Sequence, residues 1–429
     1  MDNIYRGESI SKDDFINYLP ELKNTIEKDL LLKLLTPEIV IEAAHRLYER
    51  IEQKEVVRQL LALGIPRWTA EEYVQVTMES LNRSSLSKKL YMELGDNPFD
   101  WKTIDSGIEE KYHPLGVILH IGAGNALGLS AFSVVEGLLT GNINILKLPE
   151  NEGGLSSRLL MELIQIEPRL KPYIYVLDVS SKETQIITQL IEITDGIAVW
   201  GSNDAIQGIR QLTPPTVSII EWGHRLSFSY FTESEDEEKD LQGLVLDICS
   251  TDQLYCSAPQ CVFYETDDMD KLENFALRLS KHLAYGSEKY PSANRPLEVQ
   301  SRITWTHELV KMEEVLGVKK LLTDENGKYG VMVDYKAQLR ASPLFRNIWV
   351  MPVKRREIYS LIRAHKGHLQ TVGLSCKDEE LEQLSEIFYA AGICRITPCG
   401  CMSINYTGEP HDGIYALGRY VRRINRREA

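Results

Sequence analysis

The amino-acid sequence predicts an α/β protein whose first half contains a doubly wound parallel sheet. Short apolar runs alternate with helical periodicity from Leu115 to Glu221. The first run ends in a glycine-rich turn, and a later one ends in Gly201-Ser202 directly before a helical pattern. Parallel strands need a crossover connection, which is usually a helix, so strand and helix signals that alternate in this way favour a parallel sheet.

Length and charge limit the class of protein. A chain of 429 residues is too long for one small hydrophobic core, so we expect two domains or one elaborated α/β unit. Lys and Arg number 48 against 62 for Asp and Glu, and the net charge is −14. This acidic balance argues against non-specific binding of nucleic acid or of an anionic membrane surface.

The sequence also indicates a soluble, cytoplasmic protein without a membrane span. Its first residues lack the apolar segment of a signal peptide. Residues 114–132 carry no charge if His120 is neutral, but Gly122, Gly124 and Gly128 interrupt this stretch. The seven cysteines are odd in number and scattered, which does not indicate a disulfide framework.

Residues 1–110 are predicted to be helical. Apolar residues recur at the spacing of one helix face from Pro37 to Ile51, and Pro37 suits a first helical turn. Similar patterns cover residues 69–81 and the segment that ends at Leu94-Gly95. No catalytic constellation is evident here, and we interpret the segment as a helical lead-in to the nucleotide-binding domain.

A βαβ unit is predicted after this lead-in. Residues 115–122 form an apolar strand, a glycine loop follows, residues 126–139 are helical, and residues 144–150 form the next strand. The start of such a helix offers backbone amides to an anion. The third glycine of the dinucleotide fingerprint is missing from its usual place, so the loop alone is weak evidence.

The alternation continues through residues 173–221. Strands are predicted at residues 173–177, 196–200 and 217–221, followed by a turn at residues 222–224. Ser181 is predicted to cap the helix that runs to Ile191, and Ser202 the helix at residues 203–212. Gly201-Ser202 is therefore a second candidate site for a pyrophosphate.

Cys256 is the candidate nucleophile. It follows polar residues, precedes a small-residue turn and lies just before the apolar strand that begins near Val262. An unperturbed thiol is only a few per cent thiolate at neutral pH, so a nucleophilic cysteine needs a base or a helix dipole. The alternative interpretation is a buried, inert cysteine, which is what we predict for Cys261 inside the strand.

The remaining segments carry less information about function. Residues 233–240 are predicted to form a solvated loop and helix start, residues 267–316 two amphipathic helices around a polar loop, and residues near 331, 348 and 371 three strands. Cys394, Cys399, Cys401 and His411 match no standard zinc spacing. His365 and His368 are predicted to lie in a surface loop.

Several motifs together carry a resemblance to a known family. They are Pro114-Leu-Gly-Val, Gly124-Asn125, Leu146-Lys147-x-x-Glu150, Trp200-Gly201-Ser202, Glu221-Trp-Gly-His-Arg, Cys256-Ser-Ala-Pro-Gln-Cys261, Asn347-Ile-Trp-Val, Leu369-Gln-Thr-Val-Gly373 and His411-Asp412-Gly413. In this order they resemble the aldehyde dehydrogenase superfamily and, more closely, its acyl-CoA reductase family of the LuxC type. The likeness begins near residue 20.

The resemblance implies an aldehyde dehydrogenase-like fold. A nucleotide-binding domain would span residues 111–224 together with the lead-in, and a second α/β domain, residues 225–400, would carry the catalytic cysteine. Residues 401–429 would return to the first domain or to a partner subunit. The family also suggests a homo-oligomer and a complex with acyl-supplying enzymes.

The resemblance further implies roles for individual residues. Cys256 would attack an acyl thioester, and Asn125, with the backbone N–H of the nucleophile, would bind the oxyanion. Glu221 corresponds to the general base, and His224 is the alternative. The His411-Asp412-Gly413 motif receives no chemical step.

Lys147 would contact the adenosine ribose, and Gly201 and Ser202 the diphosphate. NADPH is the cofactor that the family suggests, but Glu150 would repel a 2′-phosphate, which leaves NADH open.

The expected activity is NAD(P)H-dependent reduction of a long-chain acyl-CoA, or of another carrier's thioester, to the aldehyde through an acyl-enzyme. One alternative is an aldehyde dehydrogenase that works oxidatively or acylates CoA. Alternatives without redox chemistry are a non-catalytic subunit that binds acyl groups or partners and a cysteine acyltransferase.

Overall fold

The computed structural model describes residues 3–32, 34–62, 67–122, 129–149, 153–292 and 294–427. They divide into two compact units. The first comprises Met1–Ile51, Val76–Gly223 and Tyr406–Ala429, and the second comprises Glu52–Gln75 and His224–Asn405. Within the described ranges, no helix is both long and apolar enough to cross a membrane.

The strands of the described chain are, in order, β1 (Asn3–Tyr5), β2 (Glu8–Ile10), β3 (Lys102–Asp105), β4 (Ile108–Pro114), β5 (Val117–Ile121), β6 (Ile143–Lys147), β7 (Ile174–Leu177), β8 (Gly196–Trp200), β9 (Ser218–Trp222), β10 (Leu226–Phe231), β11 (Pro259–Glu265), β12 (Lys319–Thr323), β13 (Gly330–Asp334), β14 (Asn347–Val353), β15 (Leu369–Ser375), β16 (Arg395–Pro398) and β17 (Val421–Arg427).

The α-helices are α1 (Lys12–Asp29), α2 (Pro37–Arg50), α3 (Gln53–Ala62), α4 (Arg67–Glu79), α5 (Arg83–Leu94), α6 (Leu129–Leu139), α7 (Leu155–Ile166), α8 (Thr184–Glu192), α9 (Asn203–Leu212), α10 (Glu237–Cys249), α11 (Met269–Lys289), α12 (Leu297–Val315), α13 (Arg355–Arg363) and α14 (Asp378–Ala391).

The first unit contains the predicted doubly wound sheet. Its strand order is β2-β1-β7-β6-β5-β8-β9, and β7, β6, β5, β8 and β9 are parallel. Their side chains are largely buried on both faces, which explains the continuous apolar runs in the sequence. The chain moves from β5 through β6 to β7 on one side, then returns to place β8 on the other side of β5. The carboxyl ends of β5 and β8 therefore flank a topological switch point, where such sheets bind ligands.

Several predicted helix signals are confirmed. Pro37 opens α2, and the Ser202 side chain caps α9 by accepting from the backbone N–H of Ala205 at 3.3 Å. The prediction that Ser181 caps a helix is wrong, because α8 begins at Thr184 after Glu183. The Ser181 hydroxyl instead accepts a hydrogen bond from Lys147 at 3.1 Å.

The prediction that residues 1–110 are helical is correct for α1 to α5 but wrong at two places. Residues 3–10 form the hairpin β1–β2, which continues the sheet beyond β7. Near the end of the 1–110 region, β3 and the start of β4 belong to a three-stranded antiparallel sheet that β17 completes. The pairing of β4 with β17 joins residues about 300 positions apart, for example Glu110 with Asn425. Local periodicity cannot report a pairing at that distance.

The second unit contains another largely parallel sheet. Its order is β12-β13-β14-β11-β10-β15-β16, and only the edge strand β12 is antiparallel to its neighbour. The predicted strands near residues 331, 348 and 371 are confirmed as β13, β14 and β15, and the two predicted helices as α11 and α12. The predicted amphipathic character is confirmed for α11 but wrong for α12, on which apolar side chains such as Trp305 and Met312 are exposed. Because parallel strands share one direction, the segments that precede β10, β11, β14 and β15 meet at a single edge.

His120 lies inside the first sheet and is fully buried. Its Nε2 and Nδ1 lie 2.9 Å from the Asn144 Oδ1 and 2.7 Å from the Ser133 Oγ, and burial lowers the pKa of the imidazole to about 4. The unfolded chain takes up this proton near the ordinary pKa of 6.5.

We therefore expect stability to fall as the pH drops from about 6.5 to about 4, by up to about 3 kcal/mol, because only the unfolded state gains the proton in that window. Denaturant unfolding of the wild type and of His120→Asn at several pH values measures this effect. The variant should lose this part of the pH dependence, and an identical pH slope in both proteins would contradict the assignment.

Candidate active site

Cys256 lies in a turn directly before β11, a central strand of the second sheet, and its side chain is partly exposed. The Ser227 hydroxyl donates to the Cys256 carbonyl oxygen at 2.6 Å and accepts from the Thr371 N–H at 3.1 Å. The Ser227 hydroxyl therefore connects the turn to β10, to which Ser227 belongs, and to β15, the next strand of the sheet. The backbone of the cysteine is therefore fixed while the residue remains partly exposed.

The backbone around this turn is strained. Asp252 and Gln253 have φ values of 49° and 62°, and three consecutive residues, Leu344, Phe345 and Arg346, have φ values of 65°, 51° and 70°. Non-glycine residues rarely adopt positive φ, and such strain persists only where surrounding contacts enforce it. Clusters of this kind are typical of functional sites.

A buried ion pair holds the two strained segments together. The Arg346 Nε donates to the Asp252 Oδ1 at 2.7 Å, and both side chains are almost completely buried. The guanidinium also donates to the carbonyl oxygens of Ser287, at 3.1 Å, and Tyr290, at 2.7 Å. The Phe345 N–H donates to the Asp252 carbonyl oxygen at 2.9 Å. Sequence reasoning missed Arg346, because a single arginine before an apolar strand gives no local signal.

Burial keeps four of the other cysteines protonated. All seven lie in the described ranges, and none forms a disulfide. Burial raises the pKa of Cys249 and Cys261 to about 12 and that of Cys376 to about 11, and it raises the pKa of Cys399 well above its usual range. These four side chains remain neutral thiols at physiological pH. The prediction that Cys261 is a core residue is confirmed.

The two candidate bases have different environments. Glu221 lies near the end of β9, and Arg210 of α9 binds both of its carboxylate oxygens, with Nη2 to Oε2 at 2.7 Å. This carboxylate is therefore engaged in an ion pair with a side chain of α9. The His224 side chain is exposed and follows β9 by two residues.

Lys147, Gly201 and Ser202 lie at the carboxyl ends of strands in the first unit. Lys147 ends β6 and pairs in register with Ile121, the last residue of β5. Gly201 follows β8, and Ser202 caps α9, so the first turn of this helix points its amides toward the switch point. The structure therefore brings the three residues to one edge of the sheet. Asn125 and Glu150 lie outside the described residues.

The His411 motif contributes to the same edge. The His411 ring lies 5.2 Å from the Trp200 ring and 5.1 Å from the Trp222 ring, and the two indoles stack with their centroids 5.2 Å apart. Trp200 and Trp222 are the last residues of β8 and β9. The His411 ring therefore packs against the ends of β8 and β9, next to Gly201 and Glu221.

Comparison with known proteins identifies the family. The family model described as acyl-CoA reductase (LuxC) matches residues 36–423, which is most of the chain. The chain belongs to the LuxC acyl-CoA reductase family. The resemblance predicted from its motifs is confirmed, and as a family member the chain is an oxidoreductase that acts on acyl groups.

Curated relatives of this LuxC-family chain are named long-chain acyl-protein thioester reductases. The protein from Vibrio harveyi is 23% identical over 385 residues, which cover 88% of this chain and 78% of the relative. The protein from Photorhabdus laumondii is 22% identical over 449 residues, which cover 97% of this chain and 88% of the relative.

Solved structures confirm the aldehyde dehydrogenase fold. An NADP-dependent glyceraldehyde-3-phosphate dehydrogenase from Bacillus halodurans, complexed with NADP, matches with a TM-score of 0.74 and 15% identity, covering 99% of this chain and 98% of the other. Aldehyde dehydrogenase C from Pseudomonas syringae, in a complex with NAD+ and octanal, matches with a TM-score of 0.71 and 14% identity over 99% and 96% of the two chains. At these identities the likeness concerns the fold alone.

Proposed function

We propose that this LuxC-family chain reduces a long-chain acyl thioester to the aldehyde through an acyl-enzyme on Cys256. The observation that carries the proposal is the partly exposed Cys256, which lies in a turn at the amino end of a central strand, shortly after the strained residues Asp252 and Gln253. An accessible cysteine on a fixed backbone suits covalent catalysis, because it must meet the acyl carbonyl at a defined angle.

The proposed chemistry has two stages. The Cys256 sulfur attacks the thioester carbonyl, a new C–S bond forms, and the donor thiol leaves with a proton. A bound reduced nicotinamide supplies the hydride that brings the acyl group to the oxidation level of an aldehyde. The C–S bond to Cys256 then breaks, the aldehyde leaves, and the sulfur takes up a proton from water, which restores the thiol. Covalent attachment separates departure of the donor thiol from reduction.

Asn125 and the backbone N–H of Cys256 are the proposed donors to the developing oxyanion. One such donor typically stabilises a transition state by about 2.7–4 kcal/mol. Glu221 and His224 remain the two candidates for the base that takes the thiol proton. Because Arg210 already binds both carboxylate oxygens of Glu221, His224 is tested alongside Glu221.

The residues at the sheet edge fit a nicotinamide dinucleotide. The first turn of α9, capped by Ser202, offers backbone amides to a diphosphate, and Gly201 allows close approach. The Lys147 ammonium is buried at the end of β6, where it donates to Ser181, and could reach a ribose hydroxyl. Cationic, hydroxyl and amide donors at a switch point are a suitable set for this ligand.

The acyl donor is proposed to be a protein-bound thioester, with acyl-CoA as the alternative. The named relatives are acyl-protein thioester reductases, whereas the family description names acyl-CoA. A homo-oligomer and a complex with an acyl-supplying enzyme remain predictions. Light scattering of the purified protein tests the first of them.

The deciding experiment is absorbance at 340 nm with purified protein, a long-chain acyl thioester, and NADPH or NADH in parallel. Reduction predicts nucleotide consumption and aldehyde formation. Acylation of Cys256 without nucleotide consumption would instead support an acyltransferase. Faster turnover from aldehyde and oxidised nucleotide, with or without CoA, would support an aldehyde dehydrogenase.

Glu150→Gln tests the choice of cofactor. If the Glu150 carboxylate lies near the ribose hydroxyls, its negative charge repels a 2′-phosphate, and its removal should improve kcat/KM for NADPH relative to NADH by about tenfold. The ratio of the two kcat/KM values measures the effect. Glu152→Gln, two residues further on, is the matched control, and equal ratios in wild type and Glu150→Gln would exclude this role.

A further inference from the structure

The segment of residues 399–403, here called the return segment, lies next to the residue that follows Cys256. The Oγ atoms of Ser403 and Ser257 are 3.5 Å apart. The segment follows β16 and runs back over the sheet, where the buried Met402 sulfur lies 3.6 Å from the Ser229 Oγ of β10. A Cβ placed on Gly373 of β15 would lie 2.6 Å from the same sulfur. The sheet, the return segment and the Cys256 turn are therefore in direct contact.

Asp247 anchors the return segment from α10. This side chain is buried, and its two oxygens accept from separate backbone groups: Oδ2 from the Gly400 N–H at 2.6 Å and Oδ1 from the Met402 N–H at 3.0 Å. One carboxylate thus fixes two amides that are two residues apart. No neutral side chain of this size accepts both bonds equally well, because an amide group presents one acceptor and one donor.

The contact between α10 and the return segment is too close for larger residues. A Cβ on Gly243, one helical turn before Asp247, would lie 2.4 Å from the Cys399 carbonyl oxygen. Gly400 has a φ of +91°, a conformation that favours glycine. The two glycines let the helix approach the backbone that Asp247 binds.

Arg395 holds the other side of the same backbone. Its Nη1 donates to the Met402 carbonyl oxygen at 3.2 Å, and its Nη2 donates to the carbonyl oxygen of Ile404. The Gly400 and Met402 N–H groups are thus bound by a buried carboxylate, and the Met402 carbonyl oxygen by a guanidinium. Both side chains hold the return segment in place.

We propose that Asp247 is a positioning residue, which fixes the return segment against Ser257 and so shapes the acyl-binding space beside the Cys256 thiol. The inference rests on the proposed function, because it assumes that Cys256 carries the acyl group. It extends that function, because it attributes the shape of part of the acyl site to a residue that does not touch the substrate.

The ionisation of Asp247 supports this role. Burial raises the pKa of the carboxyl group to about 7, although the two backbone hydrogen bonds and the charge of Arg395 act in the opposite direction. The titratable groups that interact with it are Arg395 of β16 and Cys399 of the return segment. A buried carboxylate that is costly to ionise adds little to folding stability, and such groups concentrate at functional sites.

Asp247→Asn is the direct test. The amide places an N–H donor against one of the two backbone N–H groups, so the return segment must shift. We expect the rate of Cys256 acylation by a long-chain thioester, followed by mass spectrometry, to fall about tenfold or more. The dissociation constant of the nicotinamide dinucleotide should stay within about twofold of wild type, because its proposed donors belong to the other unit.

Asp240→Asn is the matched control. It removes a carboxylate from the same helix, but this carboxylate accepts from the Ser375 hydroxyl of β15 and not from the return segment. Its acylation rate should stay within about twofold of wild type. Unfolding curves of both variants establish that they are folded.

Ser403→Leu tests the same inference without the buried carboxylate. This partly exposed position should tolerate the change without loss of stability. The larger side chain should alter the ratio of acylation rates for long and short acyl chains by about fivefold or more, since it narrows the space beside the thiol. This variant decides the question if Asp247→Asn does not fold.

The outcomes separate the inference from the function on which it rests. If the wild type takes up no acyl group at Cys256, the proposed function fails and the inference fails with it. If the wild type is acylated and folded Asp247→Asn reacts at the wild-type rate, the inference alone is overturned. An unchanged chain-length ratio in Ser403→Leu would also overturn it.

Discussion

Replacement of Cys256 by alanine is expected to lower the rate of thioester reduction by at least about a thousandfold, because the variant cannot form the acyl-enzyme. The strained residues Asp252 and Gln253 and the bond from Ser227 to the Cys256 carbonyl oxygen hold the turn that places this cysteine at the amino end of β11. Nucleotide consumption at 340 nm measures the loss, and mass spectrometry of the wild type after incubation with substrate locates the acyl group.

Cys394→Ala is the control for this prediction. Cys394 is an exposed cysteine of the same unit and directly precedes β16, another strand of the same sheet. Its replacement should leave the rate within about twofold of wild type. Full activity in Cys256→Ala, or loss of activity in Cys394→Ala alone, would show that a different cysteine is the nucleophile.

Replacement of Arg346 by alanine is expected to destabilise the second unit by about 3–5 kcal/mol, because it removes the cation from a buried carboxylate. The guanidinium donates to Asp252 and to the carbonyl oxygens of Ser287 and Tyr290, so the variant also leaves two backbone acceptors without this donor. The strained residues beside Cys256 would relax, and acylation of Cys256 should fall together with stability. Denaturant unfolding and the acylation rate measure the two effects.

Arg356→Ala is the matched control, since Arg356 is an exposed arginine of the same unit that contacts Glu357 at 3.7 Å. It should change the free energy of unfolding by less than about 0.5 kcal/mol. A double variant that also replaces Asp252 by alanine should lose less than the sum of the two single changes, because the two charges act as one pair. Strict additivity would contradict the structural role of the ion pair.

Local sequence patterns predicted the regular elements well wherever neighbouring residues set them. The strand at Gly196–Trp200 and the helix at Asn203–Leu212 have the predicted bounds, and Ser202 caps that helix. Apolar runs, cap residues and glycine turns act over a few positions, so they can be identified from the sequence alone. The motif around Cys256 could be recognised for the same reason, since it lies within ten residues.

Other predictions failed because distant parts of the chain supply the decisive contacts. Ser181 was predicted to cap a helix, but its hydroxyl accepts a hydrogen bond from Lys147. Residues 108–110 of β4 were predicted to end a helical region, but β17 pairs with β4 along seven positions. Hydrogen-bond partners from another strand override local propensity, and nothing in the segment itself reports them.

The sequence by itself determined the alternation of strands and helices, the doubly wound sheet, the family and the candidate nucleophile. Only the tertiary structure decided how that nucleophile is supported. Asp252 and Arg346 are 94 positions apart, and Asp247 is 155 positions from Met402, yet each pair is in hydrogen-bond contact. A buried charge is tolerated only where the fold supplies its partner, and that partner is fixed by chain topology rather than by sequence neighbours.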